Sequence, residues 1–275
     1  MNEANANSNP EPNPQPNPTG LDAYKPVQIF RLVEEAGVAK TKLTMLQVVA
    51  LAILAGAFIG FGAAFYTTVM TGVDAGYGPN RLLGGLAFCL GLILVVVGGA
   101  ELFTGNALLV MARVDRLVTT GDLMRNWGLV LIGNLVGAAG LAVAVHASGL
   151  LDGPSGVLAA SIAEKKMLLP FGEAFVRGAL CNALVCLAVW LSMAARTATG
   201  KILAILWPIT AFVAIGFEHS IANFYFFAAG WLTGAPGGVP DMLSNLIPVT
   251  LGNIVGGAGG VALAYWAAYR RRADA

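Results

Sequence analysis

The stretch Gly99-Ala-Glu-Leu-Phe-Thr-Gly-Asn106 places an acid, an amide and small residues inside a long apolar run. The same skeleton, G-x-E-x-x-x-[G/A]-N, returns at Gly216-Phe-Glu-His-Ser-Ile-Ala-Asn223 inside a second apolar run. A carboxylic acid and an amide are costly in lipid unless the protein itself supplies their hydrogen-bond partners. We therefore expect both stretches to face the protein interior and to hold its chemistry.

The composition is that of an integral membrane protein. Hydrophobic residues make up 57% of the chain and charged residues 11%, against roughly 25% charged in an ordinary soluble domain. Several apolar runs are long enough for spanning helices, whereas a β-barrel has short alternating segments. The sequence predicts an all-α, polytopic membrane protein, and a net charge of +1 gives no sign of nucleic-acid binding.

The three cysteines, Cys89, Cys181 and Cys186, all lie in apolar runs. Their number is odd, and they show neither C-x-x-C nor His-rich spacing, so we expect no disulfide framework, metal site or cofactor. They are interpreted as small buried hydrophobic residues.

The polar ends flank one membrane domain. Residues 1–24 are rich in asparagine and proline and predict a disordered cytoplasmic tail. Residues 25–43 predict an amphipathic cytoplasmic helix, or else a solvated lead-in. Residues 44–270 form the predicted channel domain, and 271–275 a second cytoplasmic tail. The expected apolar face of the amphipathic helix consists of Val27, Phe30, Val33 and Val38.

Two apolar stretches are too long for one straight span. Leu82 to Ala112 is about 31 residues, or roughly 46 Å of helix, against a hydrocarbon core of ~30 Å. Ile202 to Trp231 poses the same problem, so we expect the second and fifth spans to be broken helices. The intact spans lie near Met45 to Met70, Trp127 to Ser148, Phe175 to Ala195 and Leu243 to Tyr269.

If the chain crosses the membrane six times, twelve of its sixteen lysines and arginines lie on one side of the membrane. The positive-inside rule then puts both termini in the cytoplasm of a cell with the protein in its inner membrane. The four on the other side are Arg81, Lys165, Lys166 and Arg177.

A second pair of motifs extends the repeat. Gly133-Asn-Leu-Val-Gly137 returns as Gly252-Asn-Ile-Val-Gly256, at an offset of 119 residues against 117 for the first pair. The match of span one with span four rests only on small residues such as Gly56 and Gly178. Three spans per half predict a 3+3 inverted repeat, which is a transport architecture.

These motifs resemble the signatures of the formate/nitrite transporter family, and the resemblance covers roughly Pro26 to Tyr269. Further matches are Cys181-Asn-Ala-Leu-Val-Cys-Leu-Ala-Val-Trp190 and Pro248-Val-Thr-Leu-Gly-Asn253. The resemblance implies a homopentamer of aquaporin-like protomers. Each protomer would have its own pathway for small monovalent anions such as formate, nitrite or hydrosulfide, away from the fivefold axis.

The resemblance also implies roles for individual residues. His219 and Thr104 correspond to the central site of the family, and Lys166 and Asn182 to an outer-vestibule lysine and a pore-side asparagine. The residues of the apolar constrictions correspond to Phe88, Leu92 and Phe212.

An ionisable side chain deep in a membrane usually lines a pathway, and His219 can hydrogen-bond an anion or give it a proton near neutral pH. Our hypothesis is that His219 helps to transfer a proton to the anion, so that the neutral acid passes the apolar constriction. Thr104 offers a hydroxyl donor opposite His219, although it can instead bond to its own backbone.

The repeat favours a supporting role for Glu101, Glu218, Asn106 and Asn223, because both halves keep them. Each carboxyl and amide can satisfy backbone groups that a broken helix leaves free. A direct proton role for the two acids remains the alternative.

The motifs lean slightly toward the nitrite-type members. Hydrosulfide, a short monocarboxylate such as lactate, and a neutral solute such as water or ammonia remain alternative substrates. An intramembrane enzyme is the rival from another class, but the chain lacks H-E-x-x-H and shows no nucleophile beside His219 other than Ser220. We therefore expect a transporter and no catalytic residues.

Overall fold

The computed structural model describes residues 23–270, and every regular element in that range is a helix. Residues 1–22 and 271–275, which include most of the two predicted tails, lie outside it. The helices are α1 (Pro26–Thr41), α2 (Met45–Met70), α3 (Gly78–Gly98), a 3-10 turn (Gly105–Leu109), α4 (Val110–Val114), α5 (Thr120–Ala147), α6 (Pro154–Met167), α7 (Phe171–Ala194), α8 (Ala198–Ile215), α9 (Ser220–Leu232), α10 (Val239–Ile254), a π-helical segment (Val255–Ala262) and α11 (Leu263–Tyr269).

Six helices within residues 23–270 are long and apolar enough to cross a bilayer. They are α2, α3, α5, α7, α8 and the continuous stretch Val239–Tyr269. The all-α fold with six spans that the sequence predicts is therefore confirmed. Three crossings separate α1 from α6, so these two short helices lie at opposite ends, named here the α1 end and the α6 end.

Both stretches that are too long for one span change direction at a glycine. Helix α3 is followed by Gly99 with φ of 82°, and α8 by Gly216 with φ of 91°. This left-handed region is costly for residues with a side chain, which explains glycine at both positions. The chain then runs without regular helix through residues 100–104 and 217–219 before the next helical turn.

Two matching contacts hold the spans on either side of these bends. The side chain of Asn134 in α5 donates to the Ala52 carbonyl in α2 at 2.7 Å, and that of Asn253 in α10 donates to the Gly178 carbonyl in α7 at 2.8 Å. The asparagines of the second repeated motif therefore make matching interhelical hydrogen bonds.

Helix α1 is present, but its buried face differs from the prediction. Val27 is 45% exposed, and Val38 is only half-buried. The buried residues are Ile29, Phe30, Val33 and Gly37, so Phe30 and Val33 are buried as expected, whereas Ile29 and Gly37 take the places of Val27 and Val38. The buried face differs because α1 packs against the 3-10 turn that follows the first bend, and against α7.

Candidate functional site

The two bends meet in the interior through Thr104 and His219. The Oγ1 atom of Thr104 lies 3.0 Å from Nε2 of His219, and the two residues are 0% and 3% exposed. The sequence places Thr104 opposite His219 only if the two halves come together, and the structure brings these side chains into direct contact. The two residues predicted for the central site therefore lie in contact with each other.

The position of His219 at the start of α9 decides which of its ring nitrogens holds the proton. Its Nδ1 atom accepts a hydrogen bond from the Ala222 backbone N–H at 3.1 Å, as an N-cap does. In the neutral ring the proton is then on Nε2, which donates to Oγ1 of Thr104. The hydroxyl hydrogen of Thr104 is consequently free to be donated to a third group.

A cavity of about 110 Å³ opens at the α6 end and reaches His219. Phe88 and Phe212 form part of its wall, with ring centroids 5.6 Å apart in an edge-to-face arrangement. Phe212 also stacks on the imidazole of His219 at 5.9 Å. Lys166 and Glu218 line the same cavity, so apolar rings and charged groups face one space.

A second cavity of about 340 Å³ opens at the α1 end. Leu92, Lys40 and Glu101 line it. The three predicted constriction residues thus divide between the ends, Phe88 and Phe212 at one cavity and Leu92 at the other. All three are at most 3% exposed, which fits apolar constrictions on either side of the Thr104–His219 contact.

Each cavity has a lysine paired with one of the two repeated glutamates. Lys166 Nζ donates to Oε1 and Oε2 of Glu218 at 2.8 and 2.9 Å, and Lys40 Nζ donates to Oε1 of Glu101 at 2.6 Å. Because an ammonium group has three N–H donors, Lys166 retains one beyond its pair. Each end therefore presents a cation beside a buried carboxylate.

The repeated asparagines complete these pairs. Asn106 Nδ2 donates to Glu101 Oε2 at 2.8 Å, and Asn223 Nδ2 donates to Glu218 Oε2 at 2.7 Å. The same amides also donate to a further asparagine, Asn126 in one half and Asn245 in the other. Within residues 23–270 both carboxylates accept from side chains, and not from the backbone groups that the sequence predicted them to satisfy.

A different pair of asparagines, Asn134 and Asn253, satisfies backbone groups of the bends. Asn134 Nδ2 donates to the Glu101 carbonyl at 2.9 Å, and Asn253 Nδ2 donates to the Glu218 carbonyl at 3.0 Å. These contacts explain how irregular backbone is kept at membrane depth.

Asn182 lies behind Thr104. Its Nδ2 donates to the carbonyl oxygens of Thr104 at 3.2 Å and Asn253 at 2.6 Å, and it is 1% exposed. It therefore fixes the backbone of the central site, and its Oδ1 has no hydrogen-bond partner within residues 23–270.

Lys40 is a site residue that was not predicted from the sequence, and neither were Asn126 and Asn245 as the partners of Asn106 and Asn223. Lys40 was grouped with the positive charges that set orientation, although it occupies the place at the α1 end that Lys166 occupies at the α6 end. The two lysines are 126 residues apart in sequence, not 117. The signal was available, since both lysines stand near the end of a short helix just before a span.

Six helices that can span a bilayer, two cavities that approach one buried Thr–His contact, and a lysine at each cavity define a multi-pass membrane transport protein. The chain belongs to the formate/nitrite transporter family, whose sequence model matches residues 27–267. This is a family of channels and transporters rather than of enzymes.

Named relatives cover nearly the whole chain. The chain is 40% identical over 276 aligned residues to the formate channel FocA of Escherichia coli K12, covering 92% of this chain and 97% of that one. It is 42% identical over 250 residues to a probable formate transporter of Methanothermobacter thermautotrophicus, covering 84% and 91%. A solved pentameric formate channel with formate bound superimposes with a TM-score of 0.75 at 41% identity, covering 82% and 98%.

Proposed function

We propose that this protein conducts formate, and with it a proton, through a pathway inside each protomer. The pathway runs from the Lys40 cavity past Thr104 and His219 to the Lys166 cavity. The observation that supports it best is the contact of Thr104 with His219 between the two cavities. The formate names of the relatives favour formate over nitrite as the first substrate.

The cost of desolvation explains why both lysines and apolar rings are needed. An anion that leaves water for a space between Phe88 and Phe212 loses hydration that these rings cannot replace. The lysines raise the local anion concentration at the two ends. At the centre, the free hydroxyl hydrogen of Thr104 is a donor for one carboxylate oxygen.

Proton transfer removes the remaining cost. For His219 to act as the acid, its ring takes up a second proton at Nδ1, and the hydrogen bond from Ala222 N–H breaks. The Nε2 proton then passes to Oγ1 of Thr104 while the hydroxyl proton passes to the formate oxygen. Formic acid forms, and the ring is neutral with its proton on Nδ1. Loss of that proton to solvent and uptake of one at Nε2 restore the starting tautomer, so the net change is one proton taken from solvent. The neutral acid crosses the apolar constriction.

Glu101, Glu218, Asn106 and Asn223 act as supports in this proposal. Each carboxylate already accepts from a lysine and an asparagine, so the bonds around it hold the bends and position the lysines. They do not need to change protonation during transport.

The assembly and orientation belong to the same proposal. The solved relative is pentameric, and we infer a homopentamer in the inner membrane with five separate pathways. The α1 end faces the cytoplasm, because the side with α1 holds twelve of the sixteen lysines and arginines.

Flux measurements in proteoliposomes test the substrate and the coupling together. Formate, nitrite, hydrosulfide and lactate are presented at two pH values, with water permeability measured in parallel. We expect formate flux that rises as the pH falls, with slower entry of bulkier lactate. Water permeability without formate flux would contradict the proposal, and formate flux that does not change with pH would contradict proton coupling.

A further inference from the structure

The two entrance lysines are held differently, although the residues around them match. Lys166 and Lys40 each contact a glutamate, which contacts an asparagine, which contacts a second asparagine. The difference lies in what this second asparagine does with its own amide N–H groups.

At the α6 end the chain of contacts closes on itself. Asn245 in α10 is 0% exposed, and its Nδ2 donates to the backbone carbonyl of Lys166 at 2.8 Å. Its Oδ1 accepts from Asn223, which also donates to Glu218, the partner of the Lys166 ammonium. Lys166 is thus fixed at its backbone and at its side-chain nitrogen by one ring of hydrogen bonds.

At the α1 end the corresponding ring is open. Asn126 in α5 is 2% exposed and accepts from Asn106 through Oδ1 at 2.9 Å. Its Nδ2 has no hydrogen-bond partner within residues 23–270. The Lys40 side chain is correspondingly more exposed, at 28% against 15% for Lys166.

We propose that Asn245 is a positioning residue for transport, which holds the Lys166 ammonium in the wall of the α6-end cavity. This inference rests on the proposed function, because it assigns Asn245 to the entrance where the anion is concentrated. A lysine side chain loses conformational entropy when it is held in one place. Because the ring of hydrogen bonds that includes Asn245 forms when the protein folds, this entropy is lost before an anion arrives, and the ammonium is already in position to attract it.

The consequence is a functional asymmetry between the entrances. At the α6 end an asparagine amide donates to the lysine backbone, whereas at the α1 end the amide of Asn126 makes no such contact with Lys40 within residues 23–270. Removal of the Asn245 amide therefore affects anion capture at one entrance, and removal of the Asn126 amide does not affect lysine position at the other.

The matched variants Asn245→Leu and Asn126→Leu test this. Each loses one contact with a neighbouring asparagine, but only Asn245→Leu loses a contact with a lysine. In vesicles of uniform orientation, we expect Asn245→Leu to raise the half-saturating formate concentration on the α6 side roughly tenfold, with a maximal rate within about twofold of wild type. Added salt should weaken capture less in this variant than in wild type. Asn126→Leu should leave the half-saturating concentration on the α1 side unchanged.

A second measurement does not depend on transport. Acylation of Lys166 by a small amine reagent, followed by peptide mapping, should be several-fold faster in Asn245→Leu than in wild type and unchanged in Asn126→Leu. The pair Asn245→Ser and Asn126→Ser replaces the leucine variants if these do not assemble. Unchanged Lys166 reactivity, or an equal change in both variants, would overturn the inference. A wild-type protein without formate flux would instead overturn the proposed function, and Lys166 reactivity would still decide the role of Asn245.

Discussion

At the scale of single residues, the hydrogen bond between Thr104 and His219 determines what the centre can offer an anion. Because Ala222 N–H occupies Nδ1 of the ring, the imidazole faces Thr104 with a donor rather than with an acceptor. The threonine hydroxyl is therefore the group that can turn to the substrate. This arrangement makes the hydroxyl as important as the ring.

Replacement of Thr104 by valine tests the hydroxyl at nearly constant shape. A hydrogen bond to a charged group contributes about 1.5–3 kcal/mol, so we expect formate flux to fall at least tenfold in Thr104→Val. Thr104→Ser keeps the hydroxyl and is the matched control, which should retain most of the flux. Equal flux in the valine and wild-type proteins, measured in proteoliposomes, would remove Thr104 from the pathway.

At the scale of elements, each bend depends on a glycine that the sequence repeats. Gly99 and Gly216 both adopt positive φ, and no atom lies within 4 Å of where a Cβ on Gly99 would be. The requirement at Gly99 is therefore one of backbone conformation and not of space.

Gly99→Ala tests this requirement. A left-handed residue with a side chain costs about 1–2 kcal/mol, so we expect the variant to unfold at a lower temperature in detergent. Gly98→Ala is the control, since Gly98 ends α3 at negative φ and a Cβ there would meet only Phe58 at 3.9 Å. An unfolding temperature lowered equally in both variants would show that helix packing, not the bend, sets the cost.

Helix α1 has a titratable contact of its own. Burial raises the pKa of Glu34 from 4.5 to about 8, and the neighbouring Asp115 carboxyl adds to the rise. Asp115 also accepts from Trp266 Nε1 at 2.6 Å, and Arg270 lies over the Trp266 ring. A raised pKa means that the docked helix is stabilised fully below the ordinary pKa of Glu34, and that this stabilisation is lost as the pH rises through about 8.

We therefore expect α1 to loosen in mildly alkaline solution. A nitroxide label at the exposed position 35 should become more mobile between pH 7 and 9 in the wild type, as read by electron paramagnetic resonance. Glu34→Gln keeps the shape without titrating and should give a constant spectrum over this range. A pH-dependent spectrum in that variant would assign the change to another group.

The sequence predicts those parts of the site whose residues lie within one short motif, and it predicts less well those that depend on residues far apart in the chain. Glu101 and Glu218 recur inside two copies of one motif, so their equivalence could be predicted directly, but not that side chains rather than backbone groups would bond them. Lys40 was harder to recognise, because α2, α3 and their turn are longer than α7, α8 and their turn, so its offset from Lys166 is 126 and not 117. The tautomer of His219 also needed the structure, since a cap depends on where the next helix begins. The inverted orientation of the halves stays a prediction, which the matched hydrogen bonds support.

At the scale of the whole molecule, one chain supplies every part of the proposed pathway. Lys40, Thr104, His219 and Lys166 all belong to a single protomer, and their contacts need no second copy. A pentamer should therefore behave as five independent conductors.

Mixed pentamers test this independence. When inactive Thr104→Val subunits are co-assembled with wild-type subunits in known ratios, formate flux should fall in proportion to the fraction of inactive subunits. A shared pathway along the symmetry axis would give a much steeper loss. Native mass spectrometry of the same samples checks that the assembly contains five chains.

The most direct test of the central claim is the pH dependence of formate flux in His219→Phe proteoliposomes. His219→Asn serves as the control for folding, because asparagine can still cap α9 but is too short to reach Thr104. We expect both variants to lose the pH-dependent flux of the wild type while eluting as intact assemblies. If His219→Phe kept the wild-type rate of formate flux and its pH dependence, this result would contradict the claim that the anion is protonated at Thr104 and His219.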